Sequence, residues 1–447
     1  MARRQLSGLD VAFLCLEGES TPMHMGAAVI FRPGAPIDPQ AVAGLLAARA
    51  RRIPRLRQRV RPTLFPPGGA TWADDPDFDP HRHIRVHRLA GFCADDPLAA
   101  HAAEWIEQPL PMDRPLWDLE VVTGLGDDRY ALLLKLHHAF TDGAGAFAVA
   151  AGLLDELPIT RMFADTHNAA THSADTRRAG PRPPLEALRD GVTAAITQAG
   201  ENAAIASAVL RAARPYPLSP LSAPGSAGRR LGFVRLPVAD VRAIRAAHGG
   251  TPNDVVLAVL TGALREWMIN RGQRPDACPL RALIPVSMRG RDGGWGANQL
   301  SGYLCDLPVR LDDPVRRLRE IRRSMNRNKA AGPQRGAGAL PVLADRLPPG
   351  LHRLTAKMAG RAAGVLFDTV ITNVPLPKLD LSLDGAPLCE VYPFVPLAPR
   401  HAVGIAAATY GDHVHIGLQM NADAVPDAGS LQDAVLKSAA ALYERSI

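Results

Sequence analysis

The feature that most constrains this chain is an apolar run that ends abruptly in two histidines. Residues 132–136 read LLLKL and lead directly into His137 and His138. A short run of this kind predicts a buried strand, and the Asp142-Gly143 pair predicts a turn into the Ala- and Gly-rich helix that comes next. Both histidines are therefore expected at the carboxyl end of a strand, where a side chain can reach a cavity.

The His-His-x-x-x-Asp-Gly pattern indicates proton-transfer chemistry. Histidine gives and takes protons near neutral pH. A single histidine after a strand is usually an ordinary interior or surface residue, so the whole pattern carries the inference. Zinc is the alternative for paired histidines. Adjacent side chains diverge along a strand, however, and no Cys-x-x-Cys pair follows to supply further ligands. We therefore expect no metal site here.

This stretch resembles the acyl-transfer motif of the chloramphenicol-acetyltransferase-like superfamily. More closely, the chain resembles the bacterial bifunctional wax ester synthase/acyl-CoA:diacylglycerol acyltransferase (WS/DGAT) family. The resemblance is carried by segments that run nearly from end to end, and their order and spacing make it specific. These segments are residues 6–10 (LSGLD), 22–26 (PMHMG), 114–117 (RPLW), 137–143 (HHAFTDG), 253–258 (NDVVLA), 285–289 (PVSMR) and 372–375 (TNVP).

The resemblance implies an α/β, two-lobed CoA-dependent acyltransferase fold, with mixed sheets, helices and an active-site channel between the lobes. The length of 447 residues also favours two domains. We expect an N-terminal lobe over residues 1–164, which carries the motif. Residues 165–230 are expected to form a linker, an Ala-rich helix and a Pro-rich crossover, and residues 231–447 a C-terminal lobe.

Acyl transfer from a thioester to an alcohol follows one of two routes. The enzyme itself takes the acyl group on Ser or Cys, or a histidine removes the alcohol proton while both substrates are bound. The first route usually carries Gly-x-Ser-x-Gly, which this sequence lacks. The resemblance assigns the base to His138 and a structural role to Asp142, beside Gly143. His137 is expected to act through strand-end packing or hydrogen bonding, and Arg289 is our choice for the partner of Asp142.

Four further residues are candidates for contact with substrate. Asn253 and Asp254 follow Thr251-Pro252 at a predicted helix start, so capping the helix and contacting the site both remain open. Asn298 and Asn373 lie in segments that match the family. The chain also departs from the family pattern: relatives often carry Gly at the position of Leu376 and Asn at that of Ser222.

A second group of histidines resembles a metal site. Residues 81–87 alternate in polarity and would place His81, His83 and His87 on one strand face. A polar strand face is the favoured interpretation, with a metal site as the alternative.

The charge pattern limits the partners. A net charge of +7 and a pI near 9.4 suit anionic lipid or CoA phosphates, and no basic-aromatic motif indicates nucleic acid. The basic segment 316–329 is by default a solvated helix face, with contact to CoA or membrane as the alternative. Five widely spaced cysteines fit reduced thiols. Neither a signal peptide nor a membrane span is evident, so we expect a cytoplasmic protein peripherally associated with membrane or lipid inclusions.

The predicted reaction transfers a long-chain acyl group from acyl-CoA to diacylglycerol, with long-chain alcohols as a second class of acceptor. Acyl-CoA is a co-substrate, and no cofactor is expected. The enzymatic alternative is a carrier-protein-dependent acyltransferase or condensation-type enzyme. The alternative from another class is a non-catalytic lipid-binding protein of the same fold.

Overall fold

The computed structural model describes residues 4–64, 68–89, 96–155, 207–208, 213, 219–277, 279–287, 300–332, 340–347, 350–352, 364–376 and 378–447. Its helices are α1 (Gly8–Leu16), α2 (Pro39–Arg52), α3 (Pro97–Glu107), α4 (Gly143–Leu153), α5 (Val238–His248), α6 (Pro252–Asn270), α7 (Pro314–Ala331), α8 (Leu340–Arg346) and α9 (Ala428–Glu444). Its strands are β1 (Arg4–Gln5), β2 (His24–Phe31), β3 (Gln58–Pro62), β4 (Ala70–Asp74), β5 (Ile84–Arg88), β6 (Trp117–Thr123), β7 (Tyr130–His137), β8 (Arg229–Pro237), β9 (Leu280–Ser287), β10 (Leu300–Leu307), β11 (Thr369–Val374), β12 (Ser382–Leu383), β13 (Ala386–Phe394), β14 (Val403–Tyr410) and β15 (His413–Asn421).

Two six-stranded mixed sheets and one three-stranded sheet organise this part of the chain. The first six-stranded sheet has the order β12-β13-β2-β7-β6-β5, and the second has the order β10-β9-β11-β14-β15-β8. Strands β1, β4 and β3 form the small sheet. Each large sheet packs against helices, so the predicted two-lobed α/β architecture is confirmed.

Strand β7 lies between β2 and β6 and is buried along its whole length. Leu132 and Leu134 belong to the main core of the first lobe, whereas Ala131 and Leu133 pack against α3 on the opposite face. Burial on both faces explains why this strand is an apolar run without alternation. The predicted buried strand is confirmed.

Lys135, the one charged residue within that run, points toward the end of α3. Its Nζ donates hydrogen bonds to the carbonyl oxygens of Trp105 and Gln108, at 2.8 and 2.9 Å. Burial lowers the pKa of Lys135 to about 8, although Asp118 opposes the shift. The ammonium thus satisfies carbonyl groups that the end of a helix leaves unpaired.

The C-terminal part of the chain is not confined to the second sheet. Strand β13 pairs antiparallel with β2, with Val391 opposite Val29, and brings β12 into the first sheet. The predicted assignment of all of residues 231–447 to the second lobe is therefore wrong for residues 382–394. The pairing satisfies the backbone groups of β2 on the side away from β7, which would otherwise be an open sheet edge.

Helix α6 is the buried helix of the second lobe and starts as its sequence predicts. Thr251 and Asp254 form a reciprocal capping box, with hydrogen bonds of 3.2 Å from Asp254 N–H and 2.8 Å from Thr251 N–H. The chain then leaves the helix through Gly272, whose φ of +70° favours glycine. Residues 255–264 of this helix are all buried, and most of them belong to the hydrophobic core of the second lobe.

The proposed histidine face in residues 81–87 is not formed. His81 lies in a short 3-10 turn, Pro80–Arg82, and β5 begins only at Ile84. His83 is buried instead, stacked on the Trp117 ring at 4.3 Å, with Nδ1 2.8 Å from the Trp117 carbonyl oxygen. The alternation prediction failed because Pro80 starts a turn.

Candidate active site

The two motif histidines lie at the carboxyl end of β7, as predicted. His137 is the last residue of the strand and pairs with His24 of β2. The chain then turns, and Phe140 N–H donates to the His137 carbonyl oxygen at 2.8 Å. Helix α4 starts three residues after this turn, at Gly143. His138 therefore sits within the tight turn that connects a buried strand to a helix.

Backbone contacts hold this turn on several sides. His137 N–H donates to the Leu116 carbonyl oxygen at 3.1 Å, and His138 N–H donates to that of Met23 at 2.8 Å. Arg55 Nη2 donates to the Phe140 carbonyl oxygen at 2.6 Å. Segments far apart in sequence, including PMHMG and RPLW, thus meet at the motif, so the position of His138 is determined by tertiary contacts.

His138 as a whole residue is partly exposed, whereas Nδ1 of its imidazole ring is buried in the protein. Phe13 stacks on it with ring centroids 4.1 Å apart. Burial lowers the pKa of His138 to about 4, while a contact with its own backbone and the charge of Asp142 oppose the shift. The imidazole is consequently neutral near pH 7 and can accept a proton.

Asp142 is fully buried and is the N-cap of α4. Its Oδ1 accepts a hydrogen bond of 2.9 Å from Gly145 N–H, so the predicted turn into a helix is confirmed. An added Cβ at Gly143 would lie 4.0 Å from Val374 Cγ2. The motif therefore lies beside β11 of the second sheet. Arg289 falls outside the described residues, and its pairing with Asp142 stays a prediction.

The sequence interpretation missed a carboxylate that bridges two buried histidines. Glu17 Oε2 lies 3.2 Å from His137 Nε2, and Glu17 Oε1 lies 3.2 Å from His24 Nε2. Neither contact has the alignment of a linear hydrogen bond. Burial alone would raise the pKa of Glu17, but the contacts with His137 and His24 prevail and lower it to about 2. A signal was present, since His24 belongs to the PMHMG segment.

The predicted substrate residues have different surroundings. Asp254 is buried in the capping box, which confirms its structural role, and Asn253 beside it is partly exposed. Asn373 is exposed on β11, next to Val374, which lies near Gly143. Asn298 falls outside the described residues. Contact of any of the four with substrate stays a prediction.

The two departures from the family pattern lie in different places. Leu376 packs against the core of the first lobe. Ser222 forms a bridge with His401, and its N–H donates to the Ser219 carbonyl oxygen at 2.8 Å. Leu376 therefore links the β11 segment to the lobe that carries the motif.

One further cluster has the composition of a metal site. The ligand atoms of His87, His101 and Glu120 lie within 4.8 Å of one another. The two imidazole rings are stacked at 3.9 Å and 13°, and His101 Nε2 lies 2.7 Å from Glu120 Oε2. A coordinated metal lies near the plane of each imidazole, so two face-to-face rings do not suit a common ion. The contacts instead fit a hydrogen-bonded pair, His101 and Glu120, with the ring of His87 stacked on His101.

The two sheets, with a histidine turn of the first lobe beside the second sheet, form the two-lobed α/β fold of condensation domains. The first condensation domain of the CDA synthetase has this fold, with a TM-score of 0.60, 16% identity and coverage of 100% of this chain and 97% of that one. Family models described as the WS/DGAT catalytic domain and the WS/DGAT C-terminal domain match residues 6–256 and 295–442. The chain belongs to the wax ester synthase/diacylglycerol acyltransferase family and is an acyltransferase.

Individual relatives match over nearly the whole chain. The probable diacylglycerol O-acyltransferase Tgs1 of Mycobacterium tuberculosis H37Rv is 35% identical over 454 residues, which cover 99% of this chain and 97% of that protein. The solved wax ester synthase/diacylglycerol acyltransferase of Marinobacter aquaeolei VT8 is 26% identical, with a TM-score of 0.71 and 99% coverage of both chains. The resemblance stated from the motifs is thereby confirmed.

Proposed function

We propose that this protein transfers a long-chain acyl group from acyl-CoA to diacylglycerol, which yields triacylglycerol and CoA. The name of the mycobacterial relative supports this acceptor. The observation that carries the proposal is His138, a neutral imidazole held in a turn at the end of a buried strand. Long-chain alcohols are the second acceptor class, supported by the description of the Marinobacter enzyme.

His138 acts as the general base in a single displacement. It takes the hydroxyl proton of diacylglycerol while the hydroxyl oxygen attacks the thioester carbonyl carbon. The tetrahedral intermediate then collapses, the carbon–sulfur bond breaks, and His138 returns the proton to the CoA thiolate. The nearby charge of Asp142 favours the imidazolium that forms during attack, since it raises the pKa of His138. No acyl-enzyme forms.

The test follows incorporation of a labelled acyl chain from acyl-CoA into neutral lipid. Diacylglycerol and hexadecanol are offered in parallel, and the lipid product is measured because its identity shows which acceptor was used. We expect triacylglycerol from the wild type and at least a ~100-fold lower rate from His138→Ala. Full activity in a folded His138→Ala variant would exclude the mechanism. Absence of any acyl transfer by the wild type would favour a lipid-binding role.

The low solubility of the substrates determines where the enzyme must bind them. Diacylglycerol and triacylglycerol are insoluble in water, so the enzyme must collect its acceptor at an interface. No helix in the described part of the chain has both the length and the apolar content needed to cross a membrane. Peripheral association with a membrane or lipid inclusion therefore belongs to the proposal.

A further inference from the structure

The end of α1 and the residue that follows it contact both motif histidines. Phe13 stacks on the ring of His138, and Glu17 lies 3.2 Å from Nε2 of His137. Glu17 caps the helix, and its N–H donates to the Phe13 carbonyl oxygen at 3.2 Å, so the C-terminal end of α1 reaches both rings. The connection to β2 is short, and Thr21 N–H donates to the Gly18 carbonyl oxygen at 2.9 Å within it.

The contacts of His137 determine where its proton lies. Its Nδ1 is 2.9 Å from the backbone nitrogen of Ala139, an amide that can only donate. Nδ1 must therefore be an acceptor without a hydrogen. A neutral imidazole then carries its hydrogen on Nε2, the atom that faces the carboxylate of Glu17.

His24 faces an acceptor on each side. Its Nδ1 lies 3.0 Å from the Ile106 carbonyl oxygen, and its Nε2 lies 3.2 Å from Glu17 Oε1. Glu17 therefore lies between the His24 and His137 rings, and its carboxylate oxygens face Nε2 of each ring. Both histidine side chains are almost fully buried at this carboxylate.

We propose that Glu17 is a positioning residue for acyl transfer, because it holds His137 in the tautomer with hydrogen on Nε2. That tautomer leaves Nδ1 free to accept the N–H of Ala139, which closes the turn around His138. In the other tautomer two donors would meet at Ala139, and the turn would lose this hydrogen bond. The proposal rests on the proposed function, since it takes His138 as the base.

Two substitutions at Glu17 separate the effect of the His137 tautomer from the effect of the carboxylate charge. The amide oxygen of Glu17→Gln can still accept from His137 Nε2–H, so we expect kcat within about fivefold of the wild type. Glu17→Met keeps the side-chain length without an acceptor. We expect its kcat to fall ~10- to 100-fold, similar to the loss when a carboxylate that orients a metal-bound histidine is removed. KM for both substrates should stay unchanged, and Glu19→Gln, an exposed neighbour, is the matched control.

Nitrogen-15 NMR of histidine-labelled wild-type protein tests the tautomer without an activity assay or a destabilised variant. The His137 signals are assigned by their loss in His137→Gln, and we expect a neutral ring with hydrogen on Nε2 at pH 7. A hydrogen on Nδ1, equal losses of kcat in Glu17→Gln and Glu17→Met, or full kcat in Glu17→Met would each overturn the proposal. If the wild type transfers no acyl group, the proposed function fails while the NMR result still stands.

Discussion

At the scale of single residues, the site depends on which groups carry charge in a buried setting. His138 is neutral because burial lowers its pKa to about 4, and Glu17 is ionised because its pKa is lowered to about 2. Asp142 opposes the shift of His138 and caps α4 with the same carboxylate. A base held neutral in this way can accept a proton at physiological pH, and the charge of Asp142 favours the imidazolium that results.

The first prediction concerns the pH dependence of kcat/KM, which reports ionisation in the free enzyme. The folded-state pKa of His138 is below the usual 6.5, so the neutral base persists as pH falls through 6.5 and is lost only near pH 4. We expect kcat/KM to stay level from pH 8 to about pH 5 and then to decline. Asp142→Asn should move the decline to lower pH, since Asp142 raises this pKa. An inflection at pH 6.5 would contradict the assignment.

The second prediction separates the two structural roles of Asp142. Loss of the N-cap in Asp142→Ala should lower the free energy of unfolding by about 1 kcal/mol. A buried ion pair with Arg289 would bring the loss to about 3–5 kcal/mol. Asp142→Asn is the matched variant because its side-chain oxygen still accepts from Gly145. Urea unfolding of a double-mutant cycle with Arg289→Ala measures the pair, and no coupling would exclude Arg289 as the partner.

At the scale of elements, the close pairing of β2 and β7 sets the position of the motif. Gly26 lies opposite Lys135, and an added Cβ there would collide with the Leu134 carbonyl oxygen and the Phe394 ring. The same strand carries His24 at its start, opposite His137. Glycine at position 26 thus allows the close approach of backbone and ring, and the strand pairing aligns the two buried histidines.

The third prediction follows from two glycines with different surroundings. Gly26→Ala should lower the free energy of unfolding by more than about 2 kcal/mol, since backbone and a packed ring must move. Gly143→Ala should change it by less than about 1 kcal/mol in either direction. The nearest atom to its new Cβ would be 4.0 Å away, and position 143 is helical. Urea unfolding compares the two, and equal losses would contradict the packing argument.

At the scale of the whole molecule, β13 joins the two lobes. It pairs with β2 in the first sheet, and its Pro393 carbonyl oxygen lies against Gly417 of β15 in the second sheet. Arg235 Nη1 of β8 also lies 3.2 Å from Glu390 Oε1. A strand of the first sheet therefore joins the lobes through close backbone packing and an ion pair with the second sheet. The positive charge of the second lobe is concentrated on α7, where Arg317 is buried. The remaining basic residues of this helix face solvent, namely Arg316, Arg319, Arg322, Arg323, Arg327 and Lys329.

The fourth prediction concerns binding to lipid surfaces. We expect co-sedimentation with anionic liposomes that decreases substantially, but not to zero, from low to high salt. Each basic residue near an anionic surface contributes about 1 kcal/mol, so Arg319→Glu with Arg327→Glu should weaken low-salt binding by more than tenfold. The matched control is Arg52→Glu with Arg61→Glu, two exposed residues of the other lobe. Equal effects of the two pairs would exclude α7 as the contact, and no binding at any salt would mean that substrate arrives by another route.

Local sequence determined the elements around the motif, because the relevant interactions span only a few residues. The apolar run before His137, the Asp142 cap and the Thr251–Asp254 capping box each depend on neighbours within one or two turns. The motif also identified the family, since its spacing was accompanied by the other segments in order.

Tertiary structure alone decided the surroundings of the two histidines. Phe13, Glu17 and His24 approach them through a helix and a strand more than a hundred residues earlier in the chain. The same holds for β13, whose place beside β2 depends on which sheet edge is open and not on its own pattern of residues. Spacing in sequence carries no information about such contacts, because they form only when separate elements pack on a common core.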